Sequence, residues 1–371
     1  MEKKINVGIL CGGKSAEHEV SLQSARNIYE AIDREKFNPI LIGIGKDGRW
    51  LYGSHSKAAD FIDNADDPKM ISLNSKSTEA HLPSQSGGRL SVRGNTPETI
   101  ELDVIFPILH GPFGEDGTVQ GLLKLADLPF VGSGVLGSAV GMDKDVMKRL
   151  LQNSGIPIGK FIVIRDWETM PSYPEITAAL GSPLFIKPAN MGSSVGVSKV
   201  YNEEDFRKAI SEAFLYDTKI ILEENIPGRE IECSVLGNEN PKASVPGEVK
   251  ATRDFYSYEA KYIDEDGAIL EIPADLPDAK VREIQDMAVR TFKTLECSGL
   301  SRVDFFLKED GAVLVNEINT LPGFTKISMY PKLWEASGIG YKELITELIE
   351  LAIARYNKEN KLKTTYCQKS R

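Results

Sequence analysis

No apolar run in the chain approaches the ~20 residues that a bilayer-spanning helix needs, so a membrane protein is excluded and no membrane partner is expected. Cysteine is scarce. Cys11, Cys233, Cys297 and Cys367 lie far apart, with no CxxC spacing; that excludes a metal finger and fits a reducing, cytoplasmic compartment. Positive charge is also short: 44 Lys and Arg against 54 Asp and Glu leave a net −10. A general polyanion binder, nucleic-acid binders included, needs a basic face and is excluded, although local lysines can still hold one nucleotide. Neither a GxxxxGK[ST] loop nor a GxGxxG fingerprint is present, and there is no internal repeat or low-complexity tract. The apolar run near the N-terminus breaks at Gly8 and meets Gly12-Gly13-Lys14 without a small-residue cleavage pattern. It reads as a buried first strand, not a secretion signal.

What is present is a chain of 371 residues, 41% hydrophobic and 26% charged, which predicts a globular α/β protein of three domains. Residues 5–11 predict a strand, followed by a glycine turn and a helix over 21–33. Further strands are expected at 39–44 and 103–109 and a helix at 118–127, alternating as in a mostly parallel sheet with helices on both faces. Residues 54–100, rich in Ser, Asn, Asp and Gly, predict a surface excursion carrying a hairpin. A second unit starts near Gly137 with a helix over 143–153 and a hairpin of 183–187 with 196–200; a strand at 219–223 leads into a third unit. There, strands near 229–236, 301–307 and 312–318 are separated by a helix over 278–296, whose Val281, Ile284, Ala288, Phe292 and Leu295 fall at helical spacing. The last eighteen or so residues lack an apolar stripe and predict a frayed tail.

Four constellations carry chemistry. Lys187-Pro188 precedes Ser193-Ser194-Val195-Gly196, small residues that let backbone N–H groups approach phosphate while Lys187 and Lys144 supply positive charge. Arg302-x-Asp304 and Glu317-x-Asn319 occupy successive strands; their carboxylate and amide oxygens are hard ligands suited to Mg²⁺ shared with phosphates, and Arg302 can neutralise an oxyanion. The loop Asn319 to Met329 leaves the second of these strands, and its Gly323 lets a backbone N–H approach a reacting carbonyl. Finally, His110 to Gly117 follows a strand and opens a helix, where Glu115, Asp116 and Thr118 serve equally well as caps and His110 as a structural histidine.

Together with Gly12-Gly13-x-Ser15-Ala16-Glu17-x-Glu19-Val20-Ser21, the segments HGPFGEDG, MDK, KPANMGSSVG, YSYEAKY, RVDFF and NEINTLPGFT resemble the signatures of D-alanine:D-alanine ligases, in that family's order from residue 5 to about 350. The resemblance implies a three-domain ATP-grasp fold: an N-terminal parallel-sheet substrate domain (1–136), a central domain (137–223) and a C-terminal catalytic domain (224–371) with a mobile loop near 251–265. It implies ATP as substrate with two Mg²⁺ (or Mn²⁺) ions, two D-alanine molecules, an acyl-phosphate intermediate and a homodimer. Residue by residue, Lys144, Lys187 and Lys261 would contact phosphates alongside Ser193 and Ser194, and Glu223, Ile226 and Glu230 would hold adenine and ribose. The segment Phe255 to Ile263 would close over the nucleotide. Asp304, Glu317 and Asn319 would bind the metals, while Arg302 and the Gly323 backbone would stabilise the tetrahedral oxyanion. Glu17 would grip the first D-alanine's ammonium, linked through Ser193 to Tyr262; Ser328 with Lys261 would receive the second carboxylate. Tyr262 favours an amine nucleophile over D-lactate. The alternatives are a depsipeptide ligase using D-lactate, or an ATP-binding regulatory protein without catalysis. Glu224, where some members carry lysine, is given no role.

Overall fold

The computed structural model describes residues 3–53, 58, 61–64, 67, 70–74, 77–93, 97–251 and 268–363. Phe255, Lys261 and Tyr262 lie outside the described residues.

The first apolar run forms β1 (Ile5–Gly12), and α1 (His18–Ala31) returns the chain to β2 (Phe37–Ile44). There follow β3 (Trp50–Tyr52), a small ribbon of β4 (Ile62–Asp63) with β5 (Ser72–Leu73), then β6 (Thr78–His81), β7 (Arg89–Arg93), β8 (Glu98–Glu101) and β9 (Val104–Pro107). The sheet runs β8-β7-β6-β3-β2-β1-β9, but only β2, β1 and β9 are parallel; β3, β6, β7 and β8 extend it antiparallel. A mostly parallel sheet is therefore corrected to a mixed one; the hairpin expected in 54–100 is present as β6 with β7, but it belongs to the sheet and is not a surface excursion. The physical reason is visible in β7, whose side chains alternate exposed and buried. Leu90 and Val92 join Ala80, Leu82 and Leu10 in the core beneath α2 (Thr118–Leu125). Period-two alternation outweighs a turn-rich composition once a neighbouring strand is available. Helix α1 covers the opposite face, packing Leu22, Ala25 and Ile28 on Val7 and Ile9.

Helices α3 (Val135–Met142) and α4 (Lys144–Asn153) lead to a second, antiparallel sheet. It is built from β10 (Phe161–Arg165), β11 (Leu184–Pro188), β12 (Ser198–Val200) and β13 (Lys219–Glu224), in the order β10-β13-β11-β12. The expected 183–187 and 196–200 hairpin appears as β11 paired with β12. On one face α5 (Tyr173–Leu180) and α6 (Glu203–Ala213) bury Leu184, Ile186, Leu222 and Phe206 in a core of their own. The alternation that turns Leu184 and Ile186 into that core puts Phe185 and Lys187 on the other face, with Glu223 opposite Phe185.

The third sheet contains β14 (Arg229–Gly237), β15 (Lys242–Ala243), β16 (Gly247–Ala251), β17 (Ala268–Glu271), β18 (Gly299–Leu307) and β19 (Val313–Asn319). Helix α7 (Asp278–Thr294) lies on its apolar face, where Ile284, Ala288 and Phe292 meet Val303, Phe305 and Val315. Helices α8 (Met329–Ala336) and α9 (Tyr341–Glu359) follow. Leu344, Ile345, Leu348 and Ile349 of α9 are buried in the same core as Val7, Ile9 and Phe106, so the first and last parts of the chain share one interior. The expectation of a frayed tail fails at its start, because α9 runs through Glu359. Arg355 donates to the carbonyl oxygens of Phe130 (2.9 Å) and Gly132, with its guanidinium 4.7 Å from the Phe130 ring centre. A polar side chain with such partners needs no apolar stripe to be held.

Candidate active site

The glycine turn after β1 is pinned by Ser21, whose hydroxyl accepts from the Gly12 N–H (2.8 Å) and donates to the Ile108 carbonyl. Gly12 and Gly13 both have positive φ, and a Cβ on Gly12 would collide with the Ile44 carbonyl, so the tight turn requires glycine there. It delivers Glu17 to the N-terminus of α1, where the carboxylate does not cap the helix. Glu17 is buried instead, with Oε2 3.4 Å from the Cβ positions that side chains on Gly111 and Gly192 would occupy. Glu17 therefore meets both the loop after β9 and the serine loop of the second sheet.

The loop after β9 holds two groups that sequence reasoning left as structural or capping. His110 is buried and its Nδ1 lies 3.0 Å from the Leu321 carbonyl. A carbonyl only accepts, so Nδ1 carries the proton and Nε2 is left as a buried acceptor with no partner among the described residues. Burial pushes the imidazole pKa down. Glu115 Oε2 accepts from the Gly111 N–H at 2.8 Å. Burial first, then the charge of Glu17, pushes the Glu115 carboxyl well above the usual range. Asp116 is the turn-maker, accepting from Phe113 N and Thr118 N. The signal that separates the two acids is spacing: only Glu115 reaches back across the loop to Gly111.

Beside the second sheet, Asp143 caps α4 by accepting from Val146 N (3.0 Å), which leaves Lys144 in its first turn. Lys144 Nζ donates to the Met191 carbonyl (2.7 Å) and lies 3.8 Å from Glu317. In the serine loop Ser193, Ser194 and Gly196 have positive φ; two serines in the left-handed region within one turn are strain held by the surrounding structure, the kind found at ligand sites. Glu223 is buried and ion-paired to Lys187 at 2.5 Å and to Lys148 at 2.7 Å. Burial alone would raise its pKa, but the two ammonium groups hold it far below the usual range. Burial likewise opposes the charge on Lys187, and Glu223, then Glu317, more than offset it. Lys148 was missed from sequence; its signal was a lysine four residues after Lys144 on the helix face that also carries Met147 and Leu151. Ile226 packs against Gly159, and Glu230 is exposed on β14. Glu224 accepts from the Lys160 N–H (2.7 Å), a structural bond.

The acids of the third sheet form a row, since Glu232, Asp304 and Glu317 are register neighbours on β14, β18 and β19. Val313 and Val315 face the core, so strict alternation would bury Glu317 as well. A bulge opposite Asp304 and Phe305 turns Glu317 onto the face of Asp304 and returns Ile318 to the core. Arg302 makes two bonds of 2.7 Å to Asp304 and an ion pair of 2.8 Å with Glu232, an acid that sequence reasoning also missed. Asn319 Nδ2 donates to Asp304 at 3.0 Å. Among the described residues no three His, Cys, Asp or Glu side chains group as a complete metal cage. Two carboxylates and an amide oxygen are nevertheless the donor set of Mg²⁺ or Mn²⁺, ions that finish their shells with phosphate oxygens and water. The donors fit. In the loop beyond, Ser328 Oγ accepts from Thr325 N (3.0 Å), and a Cβ on Gly323 would crowd it at 3.1 Å.

The loop after β9, helices α3 and α4, the serine loop and the end of β19 meet at one small cleft, lined by Glu115, Met142, Lys144, Gly192, Glu317 and Asn319 among others. Lysines, metal-type oxygens and buried acids thus line or adjoin one space, a combination that phosphoryl transfer to a small carboxylate would require.

The family model described as D-ala D-ala ligase N-terminus matches residues 6–133, and that described as D-ala D-ala ligase C-terminus matches 150–350. A D-alanine–D-alanine ligase of Oceanobacillus iheyensis is 56% identical over 369 residues, 98% of this chain and 99% of the relative. D-alanine–D-alanine ligase A of Escherichia coli is 53% identical over 98% of this chain and all of its own. Among solved structures, the D-alanine-D-alanine ligase of Coxiella burnetii superposes with a TM-score of 0.83 at 38% identity, covering 97% of each chain. The VanG D-Ala:D-Ser ligase of Enterococcus faecalis gives 0.83 at 35% identity over 94% of this chain and all of its own. With both halves matched by the family models and full-length relatives above half identity, this chain belongs to the D-alanine–D-alanine ligase family.

Proposed function

We propose that the cleft joins two D-alanine molecules to D-alanyl-D-alanine with conversion of ATP to ADP and phosphate, supplying peptidoglycan precursors. The observation that carries the reading is the meeting of Lys144, Lys187 and the Asp304–Glu317–Asn319 donors with the buried pair Glu17 and Glu115 around one small cleft. The curated relatives are named as ligases, and the D-lactate and regulatory alternatives draw no support from them.

Lys144, Lys187 and the N–H groups around Ser193 and Ser194 hold the phosphates, Lys261 adding charge, while Glu223, Ile226, Glu230 and Phe255 take the nucleoside. Mg²⁺ or Mn²⁺ held by Asp304, Glu317 and Asn319 would neutralise phosphate charge. Glu17 binds the ammonium of the first D-alanine and aims its carboxylate at the γ-phosphorus; the P–O bond to ADP breaks as the carboxyl oxygen bonds to phosphorus. The amine of the second D-alanine, having lost one proton to solvent, then attacks the acyl carbonyl; the nitrogen passes a second proton to the departing phosphate, which leaves with its bonding electrons. Arg302 and the Gly323 N–H oppose the charge on the tetrahedral oxygen, an effect worth about 3 kcal/mol per donor. Ser328 with Lys261 receives the second carboxylate, and the Glu17–Ser193–Tyr262 link orients the amine. The proposal includes working units of 1–136, 137–223 and 224–371, a homodimer and a cytoplasmic location; among the described residues no helix is long and apolar enough to cross a membrane.

Purified protein with ATP and Mg²⁺ should release phosphate with D-alanine and not with L-alanine, mass spectrometry identifying the dipeptide. A dominant ester with D-lactate, or a mixed dipeptide with D-serine, would replace the second substrate; no turnover with any of them would overturn the ligase reading.

A further inference from the structure

Helix α4 presents two lysines one turn apart, and they serve different ends of the nucleotide site. Lys144 reaches the serine loop, whereas Lys148, 3% exposed, is buried against Glu223. That carboxylate takes Lys148 on Oε1 and Lys187 on Oε2, two cations for one charge. Neutralising a buried acid needs only one. The two lysines are not equivalent: the Lys187 side chain is 16% exposed and feels Glu317 and Glu230 across the cleft, while that of Lys148 is 4% exposed.

Resting on the reading of Lys187 as a phosphate ligand, we infer that Lys148 is the resident counter-ion of Glu223, which frees Lys187 to turn to the nucleotide phosphates without stranding a buried carboxylate. Glu223 then keeps one ion pair and fixed geometry, and the oxygen that Lys187 vacates is available to a donor on the nucleoside. Lys148 acts through Glu223 and is a positioning residue. Without it Lys187 is the remaining cation on Glu223, and each nucleotide bound must pull that pair apart, which for a buried pair is strongly unfavourable.

The test is calorimetric titration of a non-hydrolysable ATP analogue with Mg²⁺ into full-length wild type, Lys148→Met, Lys148→Arg, Glu223→Gln and the Lys148→Met/Glu223→Gln double variant, with thermal melts in parallel. Lys148→Met, which keeps the length of the side chain, is expected to weaken analogue binding about 10–100-fold, the range of one charged hydrogen bond, while D-alanine binding changes less than about twofold. Lys148→Arg should bind nearly as wild type. The double variant should match Glu223→Gln alone, because with no carboxylate there is no charge to balance. Wild-type binding by Lys148→Met, an equal loss in Lys148→Arg, or losses that simply add in the double variant would each overturn the inference. Lys187→Met separates the two levels: if it binds the analogue like wild type, the phosphate role of Lys187 falls and takes the inference with it. A deficit in Lys187→Met with none in Lys148→Met removes the inference alone.

Discussion

Glu223 and Glu115 are acids of the same active-site region, and the protein moves them in opposite directions. Glu223 lies between Lys148 and Lys187 and is held ionised. Glu115 lies in the loop after β9 with the charge of Glu17 nearby, and burial pushes it toward its neutral form. Around Glu223 the protein supplies cations in excess, which suits an anionic ligand; around Glu115 and Glu17 it gathers acids, which suits a ligand ammonium. On the proposed reading, the charge of each end is complementary to its substrate before either arrives.

The largest effect should come from removing the shared cation. Lys187→Met should lower kcat/KM for ATP by roughly 10²–10³, two charged contacts of the usual strength, with the KM for D-alanine moved less than about threefold; a D-alanine defect as large as the ATP defect would mean that the two ends are not separate. Next, Glu17→Gln should weaken binding of the first D-alanine by about 10–100-fold, a charge-assisted bond lost, and leave ATP binding intact. Calorimetry showing the reverse pattern would misplace Glu17. A control away from both ends is Arg355→Met, which removes the tie from α9 to the Phe130 and Gly132 carbonyls. Urea unfolding should show about 2 kcal/mol less stability, with both KM values unchanged.

The contrast is sharpened last by the pH signature of Glu115. Its folded-state pKa is raised from 4.5 to about 8, so the folded protein holds that proton more tightly than the unfolded chain. Stability from this group is full below the ordinary value and is lost as pH rises toward about 8. Glu115→Gln should lack that slope, its Tm gaining on wild type as pH climbs through the window. Parallel Tm curves would show that Glu115 ionises normally, and the contrast with Glu223 would disappear.

Much of the candidate site could be proposed from sequence because its chemistry is local in the chain. Lys187 and the serine loop, Arg302 with Asp304, and Glu317 with Asn319 each suggest a chemistry within a few residues. Lys148, Glu232 and Glu115 did not, since each acts through a partner 75, 70 or 98 residues away: Glu223, Arg302 and Glu17. In the fold, the apolar strands β1, β2 and β9 were plain, whereas β6 to β8 hid in a polar segment whose alternation makes sense only beside β3.

Residue order was enough to specify the strands and helices that carry the motifs, the residue types on them and the family, because periodicity and short-range spacing are properties of the chain. Which way Glu317 faces, which acid holds a proton, and that α9 closes the core of the first sheet were decided only when strands paired and burial set the charges. A bulge, an ion pair and a shared interior each need two segments distant in the chain, and their energies exist only once those segments touch.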